Sequence, residues 1–473
     1  MLDRAFARDK AYDGRFLTGV LSTGIYCLPS CPARNPKAEN VRFFSTEDGA
    51  RRAGLRACRR CRPDFFYRHH DPDREQLTDL ARRVEAEPTA FPTVDALTET
   101  SGIGVTKLNA LFRCHYHTSP AAFLHRARVT AACHQLLETD RRILDVGFDV
   151  GYESSSAFHE NFRKLTGMSP RRYRELRRGR DFTLGLPPDY RTEDILRVHG
   201  RDPDSPTERV EGRSLSRTVR LEGRPALLHL TFQRRQVQGR VEPTGRLGAA
   251  GMAQAHRSAW RLLGGGSEPD AFEQRARRQP PLRRLARRRK GLRIPQSPDV
   301  FEGLTWSILG QQVNLPHAFR LRQRLIALAG APAGRGLHAH PTPAAVARLD
   351  YRDLTRRQFS RRKAEYLIDL ARQVVAGEHV PEELPTRPAS QVETRLLAVR
   401  GLGPWSTHYV MMRACGFADC VPVGDTGLST ALQRFFDLDR RPDPTETRTL
   451  MEAFAPFRSL ATFHLWMTLG DPA

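Results

Sequence analysis

Two groups of residues in this chain have the types and spacing that chemistry requires. The first is Cys27-Leu-Pro-Ser-Cys31 followed by Cys58-Arg-Arg-Cys61, two close thiol pairs separated by 26 residues. Four cysteines so spaced suit a tetrathiolate Zn2+ site with Cys27, Cys31, Cys58 and Cys61 as ligands. Arginines crowd it, Arg34 among them. The second is Asp425, a single acid in the apolar, Gly-rich run Val421-Pro-Val-Gly-Asp425-Thr-Gly-Leu428. It lies downstream of the turn Gly401-Leu-Gly403, whose glycines let backbone N–H groups approach a phosphate closely. Asp425 also suits a helix N-cap, because Thr426 onward reads helical. The two roles are compatible.

The elements that must position these groups are spread over 473 residues, long enough for roughly three or four domains. The formal net charge is +23, with Arg far outnumbering Lys. That balance calls for a polyanionic partner. No apolar run is long enough to span a bilayer, and the charged start of the chain has no secretory signal, so an intracellular protein is expected. In a reducing compartment the eight cysteines are thiols or ligands rather than disulfides. Cys114 and Cys133 have no close Cys partner and read as buried small apolar residues.

Residues 75–178 read as helices with short turns. One helix-turn-helix has its turn near Ser101-Gly102. A second runs from Ile143 to Leu165, with Val146, Val150, Phe158 and Phe162 as core and Ser154 as the N-cap of its second helix. Ser155, Ser156 and Asn161 on that helix can face base edges, and Arg163 and Lys164 can reach phosphates. The runs 216–221, 226–232 and 237–241 alternate like half-buried antiparallel strands. A helix over 249–263 follows. The basic tract Arg283–Lys290 fits either a DNA-tracking segment or a solvated helix face. Asn314 is placed to cap the helix that begins with Leu315-Pro316.

Three resemblances run through these residues. Ser22-Thr-Gly-Ile-Tyr-Cys27-Leu-Pro-Ser-Cys31-Pro-Ala-Arg34 with Cys58-Arg-Arg-Cys61 resembles the N-terminal domain of the Ada-type adaptive-response protein. There the first cysteine is both zinc ligand and irreversible acceptor of a methyl group from a DNA methylphosphotriester. This implies that role for Cys27, although the site also fits a purely structural zinc knuckle. Leu28 stands where the family usually has Arg. The segment 143–173, closing with Thr166-Gly-Met-Ser-Pro170-Arg-Arg-Tyr173, is similar to AraC-type DNA-binding domains.

The segments from Phe182-Thr-Leu-Gly-Leu onward, Phe301–Asn314 and 397–428 resemble AlkA-type 3-methyladenine DNA glycosylases of the helix-hairpin-helix superfamily. That likeness implies Asp425 as the catalytic carboxylate, Trp405, Tyr409 and Trp466 around the base, and hairpin contacts from Gly401 and Gly403. It also implies that Gln311 or Gln312 fills the gap left by a flipped base. From spacing alone Tyr409 and Trp466 also fit helical core, and the glutamines fit a surface turn. Trp405 occupies the position of the Schiff-base lysine in bifunctional relatives, which implies hydrolysis without lyase chemistry. Arg400 replaces the usual Pro before the hairpin.

The expectation is a mainly α, multidomain chain. It comprises a small α/β zinc domain over 1–72, a helical helix-turn-helix domain over 75–178, a small β-rich α/β domain over 181–265 and an all-α glycosylase domain over 270–473. The implied function is repair of alkylated DNA and its regulation: monofunctional excision of alkylated purines, with methyl transfer to Cys27 activating sequence-specific DNA binding. Double-stranded DNA is the expected partner, joined by RNA polymerase during activation, in the cytoplasm at the nucleoid, with Zn2+ as cofactor and no membrane. The alternative is a transcription regulator whose glycosylase half is inert and only binds DNA.

Overall fold

The structure is a computed structural model that describes residues 1–9, 12–68 and 71–470. It contains two compact units, Met1–Asp79 and Leu80–Ala473. No helix among the described residues is long and apolar enough to cross a membrane.

In the first unit α1 (Leu2–Phe6) precedes a four-stranded sheet of order β3-β1-β2-β4, made from β1 (Leu17–Val20), β2 (Ile25–Cys27), β3 (Val41–Phe44) and β4 (Arg56–Ala57). The β2–β4 pair is parallel, with Tyr26 opposite Ala57. That register brings Cys58 beside Cys27, and the Cys58 N–H donates to the Tyr26 carbonyl at 3.0 Å. Helix α2 (Glu47–Arg52), capped by the Thr46 hydroxyl, supplies Ala50 to a core with Leu17, Tyr26, Leu28 and Leu55. Helix α3 (Pro63–Tyr67) starts with Pro63 in its first turn.

Helix α4 (Pro72–Ala86) leads into α5 (Val94–Ser101), α6 (Val105–Tyr116), α7 (Pro120–Glu138), α8 (Ile143–Asp149), α9 (Ser155–Thr166) and α10 (Pro170–Glu175). Gly102, at φ +64°, ends α5, and Ser154 caps α9 by accepting from the Ala157 N–H at 3.1 Å. Val146, Val150, Phe158 and Phe162 are all buried, as their spacing predicts. Cys114 corrects the sequence reading: it is exposed. The buried stripe of α6 is Leu108, Phe112 and His115, an i, i+4, i+7 ladder that leaves position 114 facing out. Cys133 is half-buried against the core.

A five-stranded antiparallel sheet follows, of order β5-β9-β8-β7-β6, from β5 (Asp181–Gly185), β6 (Glu208–Glu211), β7 (Ser214–Leu221), β8 (Arg224–Phe232) and β9 (Gln236–Pro243). Helices α11 (Thr192–His199) and α12 (Ala249–Leu262) accompany it. Its core is continuous with that of α7–α10: Phe158, Phe162 and Tyr173 belong to one buried cluster with Phe182, Leu228 and Leu262. At this junction the His256 Nε2 lies 2.7 Å from the Thr166 carbonyl. Gly167, at φ +70°, sits where any Cβ would lie 2.5 Å from the Trp260 ring.

The rest is helical: α13 (Pro269–Ala276), α14 (Pro280–Arg288), α15 (Val300–Leu309), α16 (Leu315–Ala329), α17 (Pro343–Ala347), α18 (Tyr351–Thr355), α19 (Arg361–Val375), α20 (Ala389–Ala398), α21 (Pro404–Val410), α22 (Thr426–Phe436), α23 (Pro444–Glu452) and α24 (Arg458–Thr468). One hairpin, β10 (Ala331–Gly334) with β11 (Leu337–Ala339), was not foreseen from the sequence. It ties this part to the sheet, the His338 N–H donating to the Pro206 carbonyl at 2.8 Å. In the basic tract, Arg283, Arg287 and Arg288 are exposed, whereas Arg289 is buried and donates to Asp194 at 2.7 Å. The tract thus presents an exposed basic face, which suits a DNA-tracking segment and a solvated face alike, with Arg289 as a structural guanidinium near its end.

Candidate functional site

The four cysteine sulfurs of the first unit lie within 4.8 Å of one another, with Cys31 and Cys58 at 4.0 Å. A zinc tetrathiolate with bonds of about 2.3 Å has tetrahedron edges of roughly 3.8 Å, so the residues fit the ion. The β2–β4 register supplies Cys27 and Cys58, and a short loop after each strand supplies Cys31 and Cys61. Asp13 holds the first loop, accepting from the Ser30 N–H at 3.0 Å and its hydroxyl at 2.6 Å. Backbone N–H groups serve two of the sulfurs: Leu28 donates to Cys61 at 3.3 Å and Arg60 donates to Cys58 at 3.4 Å. Among the described residues, the Cys27 sulfur accepts no such bond. Leu28 packs into the core and Arg34 is exposed.

In the second unit a cleft of about 950 Å³ gathers Asp425, Trp405, Tyr409, Trp466, Gln311 and Gln312. Asp425 caps α22, its Oδ1 accepting from the Leu428 N–H at 2.6 Å. The same oxygen accepts from the Trp466 indole at 2.9 Å, and Oδ2 accepts from the Trp405 indole at 2.9 Å. Three N–H donors thus converge on one carboxylate and set the plane in which it is presented. Trp405 and Tyr409 are one turn apart on α21, and their rings stack at 5.6 Å and 30°. Tyr409 and Trp466 meet at 6.2 Å. The aromatic surface and the carboxylate therefore form one wall.

Gln311 and Gln312, which the sequence treats alike, are placed differently. The Gln311 amide donates to the Gly401 carbonyl at 2.7 Å and to Ser406 Oγ at 2.9 Å, joining its turn to the hairpin. Gln312 is exposed and adopts φ +53°, a left-handed conformation uncommon outside glycine. In the hairpin, Gly401 has φ +96°, and a Cβ there would meet the Tyr366 ring at 2.4 Å. Gly403 is the N-cap of α21. Arg400 is paired with Glu365 at 2.9 Å and Asp369 at 3.4 Å.

On α9, Ser155, Ser156 and Arg163 are exposed, while the Asn161 amide donates to the Ala157 carbonyl at 2.9 Å. This face is separate from the cleft lining. Several cleft residues escaped the sequence reading. Trp306 and Phe319 stack at 5.5 Å and line the cleft, and Arg201 and Arg413 line it too. Beside them is a buried ion cluster in which Glu302 is paired with both Arg217 and Arg322. Burial alone would raise Glu302, but the two guanidiniums outweigh it and hold the carboxyl at about 2. Trp306 sits in α15, where every other residue is buried, so no polar stripe in its sequence marked the cleft-facing position.

Three family models match the chain in succession: the metal binding domain of Ada over residues 1–64, a helix-turn-helix domain over 97–176, and the HhH-GPD superfamily of base excision DNA repair proteins over 305–456. A probable bifunctional transcriptional activator/DNA repair enzyme AlkA of Mycobacterium tuberculosis is 28% identical over 98% of this chain and 95% of its own length. The bifunctional transcriptional activator/DNA repair enzyme AdaA of Bacillus subtilis is 32% identical over 36% of this chain and 78% of its own. The chain belongs to the bifunctional Ada/AlkA family. A DNA-3-methyladenine glycosylase of Bacillus subtilis is 33% identical over 42% of this chain and 66% of its own. In this Ada/AlkA chain the Ada-type domain binds Zn2+ through Cys27, Cys31, Cys58 and Cys61.

Proposed function

We propose that this protein repairs alkylated DNA and regulates that repair, through a monofunctional glycosylase and a methyl-accepting zinc domain, with domains divided near 72–75, 178–181 and 265–270. The single observation that carries the glycosylase reading is the Asp425 carboxylate, held by two indole N–H groups at 2.9 Å in a wall of three aromatic rings. A purine must leave the base stack to reach such a wall. An N-alkylated purine carries positive charge, so ring π faces attract it and its glycosidic bond is already weak. The carboxylate then stabilises the sugar cation that forms as the C1′–N bond breaks. Water adds at C1′, the base leaves with the bonding pair, and the water's proton passes to solvent. Trp405 offers no amine at C1′, so the product is an abasic site rather than a cleaved strand. Gly401 and Gly403 bring backbone N–H groups to a phosphate, and Gln312 occupies the vacated stack.

Cys27 is the methyl acceptor in this reading, supported by its place as the first cysteine of the segment that matches the metal binding domain of Ada. Bound Zn2+ keeps the four thiols deprotonated at neutral pH. The Cys27 sulfur attacks the methyl carbon of a methylphosphotriester. The S–C bond forms, the C–O bond breaks, and the phosphodiester anion leaves. Loss of one thiolate charge lowers repulsion from the DNA backbone, so methylation raises affinity. The exposed Ser155, Ser156 and Arg163 of α9, with Asn161 on the same helix, and the exposed Arg34 of the zinc domain then contact DNA, and RNA polymerase is the partner when the protein activates a promoter. Such a protein works in the cytoplasm, at the nucleoid.

One reaction tests both halves. Duplex DNA treated with a methylating agent is incubated with wild type, Asp425→Asn and Cys27→Ser. Wild type releases free 3-methyladenine without strand cleavage, and a Cys27 peptide gains one methyl mass. A wild type that releases no base refutes the glycosylase reading. An unmodified Cys27 peptide from zinc-loaded protein refutes the acceptor reading.

A further inference from the structure

Lys363 is one of only six lysines in a chain that otherwise uses arginine, and it is buried. It lies on α19, behind the turn that carries Gln311 and Gln312. Its Nζ donates to the carbonyls of Ile308 at 2.9 Å, Leu309 at 2.7 Å and Gln311 at 2.8 Å. The three donors of one ammonium are thereby all used, and desolvation lowers its pKa to about 8. Three carbonyls converging on a point suit a compact ammonium, whereas a planar guanidinium fork would not fit them. Two of those carbonyls end α15, where the helix dipole also favours a cation.

The consequence lies one residue further on. Gln312 is exposed in the left-handed region, a conformation that costs a non-glycine residue and persists only when its neighbours enforce it. Lys363 fixes the carbonyl just before it. The Gln311 side chain fixes the same turn from the other side, through Gly401 and Ser406. Tyr366, one turn along α19, packs under Gly401. A single helix therefore braces both the glutamine turn and the hairpin.

We propose that Lys363 is a positioning residue for base extrusion: its ammonium gathers three carbonyls and so holds Gln312 ready to enter the gap in the base stack. This rests on the base-extrusion reading above. The measure is affinity of the full chain for duplex DNA with an abasic analogue, together with the fluorescence of 2-aminopurine placed beside it. Both readouts are independent of base release, so they report on Lys363 even if no base is excised. Lys363→Met is made alone and with Gln312→Ala, and Lys363→Gln is made alongside in case the methionine variant does not fold. Wild type binds the abasic duplex with a fluorescence rise. The single Lys363 variant binds about tenfold more weakly and loses that rise. In the Gln312→Ala background the same change has no further effect. Wild-type affinity and fluorescence in the Lys363 variants would overturn the proposal. So would an equal loss with and without Gln312, which is the signature of general destabilisation.

Discussion

Replacing Trp405 by Phe removes one N–H while leaving a ring to stack on Tyr409, and the outcome is set by how the carboxylate is held. Asp425 Oδ2 accepts only from the Trp405 indole among the described residues, whereas Oδ1 accepts from both the Trp466 indole and the Leu428 N–H. A hydrogen bond to a charged group contributes about 1.5–3 kcal/mol, and at a half-buried site water recovers part of it. Loss near 1.5 kcal/mol corresponds to about a tenfold fall in the rate of base release. Trp466→Phe leaves the backbone donor on Oδ1, so its loss is roughly two- to threefold, equivalent to about 0.5 kcal/mol. Single-turnover release of a labelled alkylated purine from duplex DNA, measured at saturating enzyme, reads the chemical step directly. Trp405→Phe should be slower than Trp466→Phe, with DNA affinity little changed in either. Equal rates, or the reverse order, would refute the claim that these donors position Asp425 for catalysis.

Gly401→Ala forces a Cβ against Tyr366 at a backbone angle that alanine resists, so DNA affinity in a gel-shift titration falls at least about tenfold while the zinc content is untouched. Glu302→Gln leaves Glu208 as the remaining anion shared by the buried Arg217 and Arg322 and lowers stability by about 1–3 kcal/mol, read from the denaturant midpoint. His256 and His340 are held neutral to about 4, and His464 to about 3, because burial disfavours their charged forms. The unfolded chain protonates these rings near 6.5 and binds more protons below it, so stability is retained above that pH and the melting temperature drops as pH falls from 6.5 toward 4. Metal analysis of purified protein should give one zinc per chain, and Cys31→Ser should lose most of it, whereas Cys114→Ser should keep it.

Much of this architecture is readable from residue order because local signals agree with tertiary ones. Ser154, Asn314 and Asp425 announce helix starts by their own side chains, and each is a cap in the structure. The four cysteines need only one strand register to meet; their spacing pointed to a common metal site, while the register itself comes from the fold. Trp405, Tyr409 and Trp466 were placed at the cleft by the family resemblance, since the spacing of Tyr409 and Trp466 alone also suits helical core. The cleft's other wall was not legible, because Trp306 and Phe319 come from two helices whose packing no local pattern encodes. The different placements of Gln311 and Gln312 follow from backbone angles and from Lys363, a partner 51 residues beyond Gln312 in the chain. Cys114 was misread because a lone thiol says nothing about the phase of its helix. Arg289 was hidden inside a run of like charges, and its buried contacts with Asp194 and the Met467 carbonyl distinguish it.

The unbroken core from α7–α10 into the five-stranded sheet has a consequence for the cell rather than for the site. Phe158 and Tyr173 share one buried cluster with Leu228 and Leu262, so neither side keeps its apolar surface covered when the other opens. The two parts should melt as one cooperative block, and a protease cutting between 176 and 181 should release no stable fragment. A substitution that weakens the sheet then lowers the amount of folded DNA-reading module as well. Loss of about 1–2 kcal/mol anywhere in that block would reduce the abundance of both halves together, keeping their doses matched whatever the level of expression.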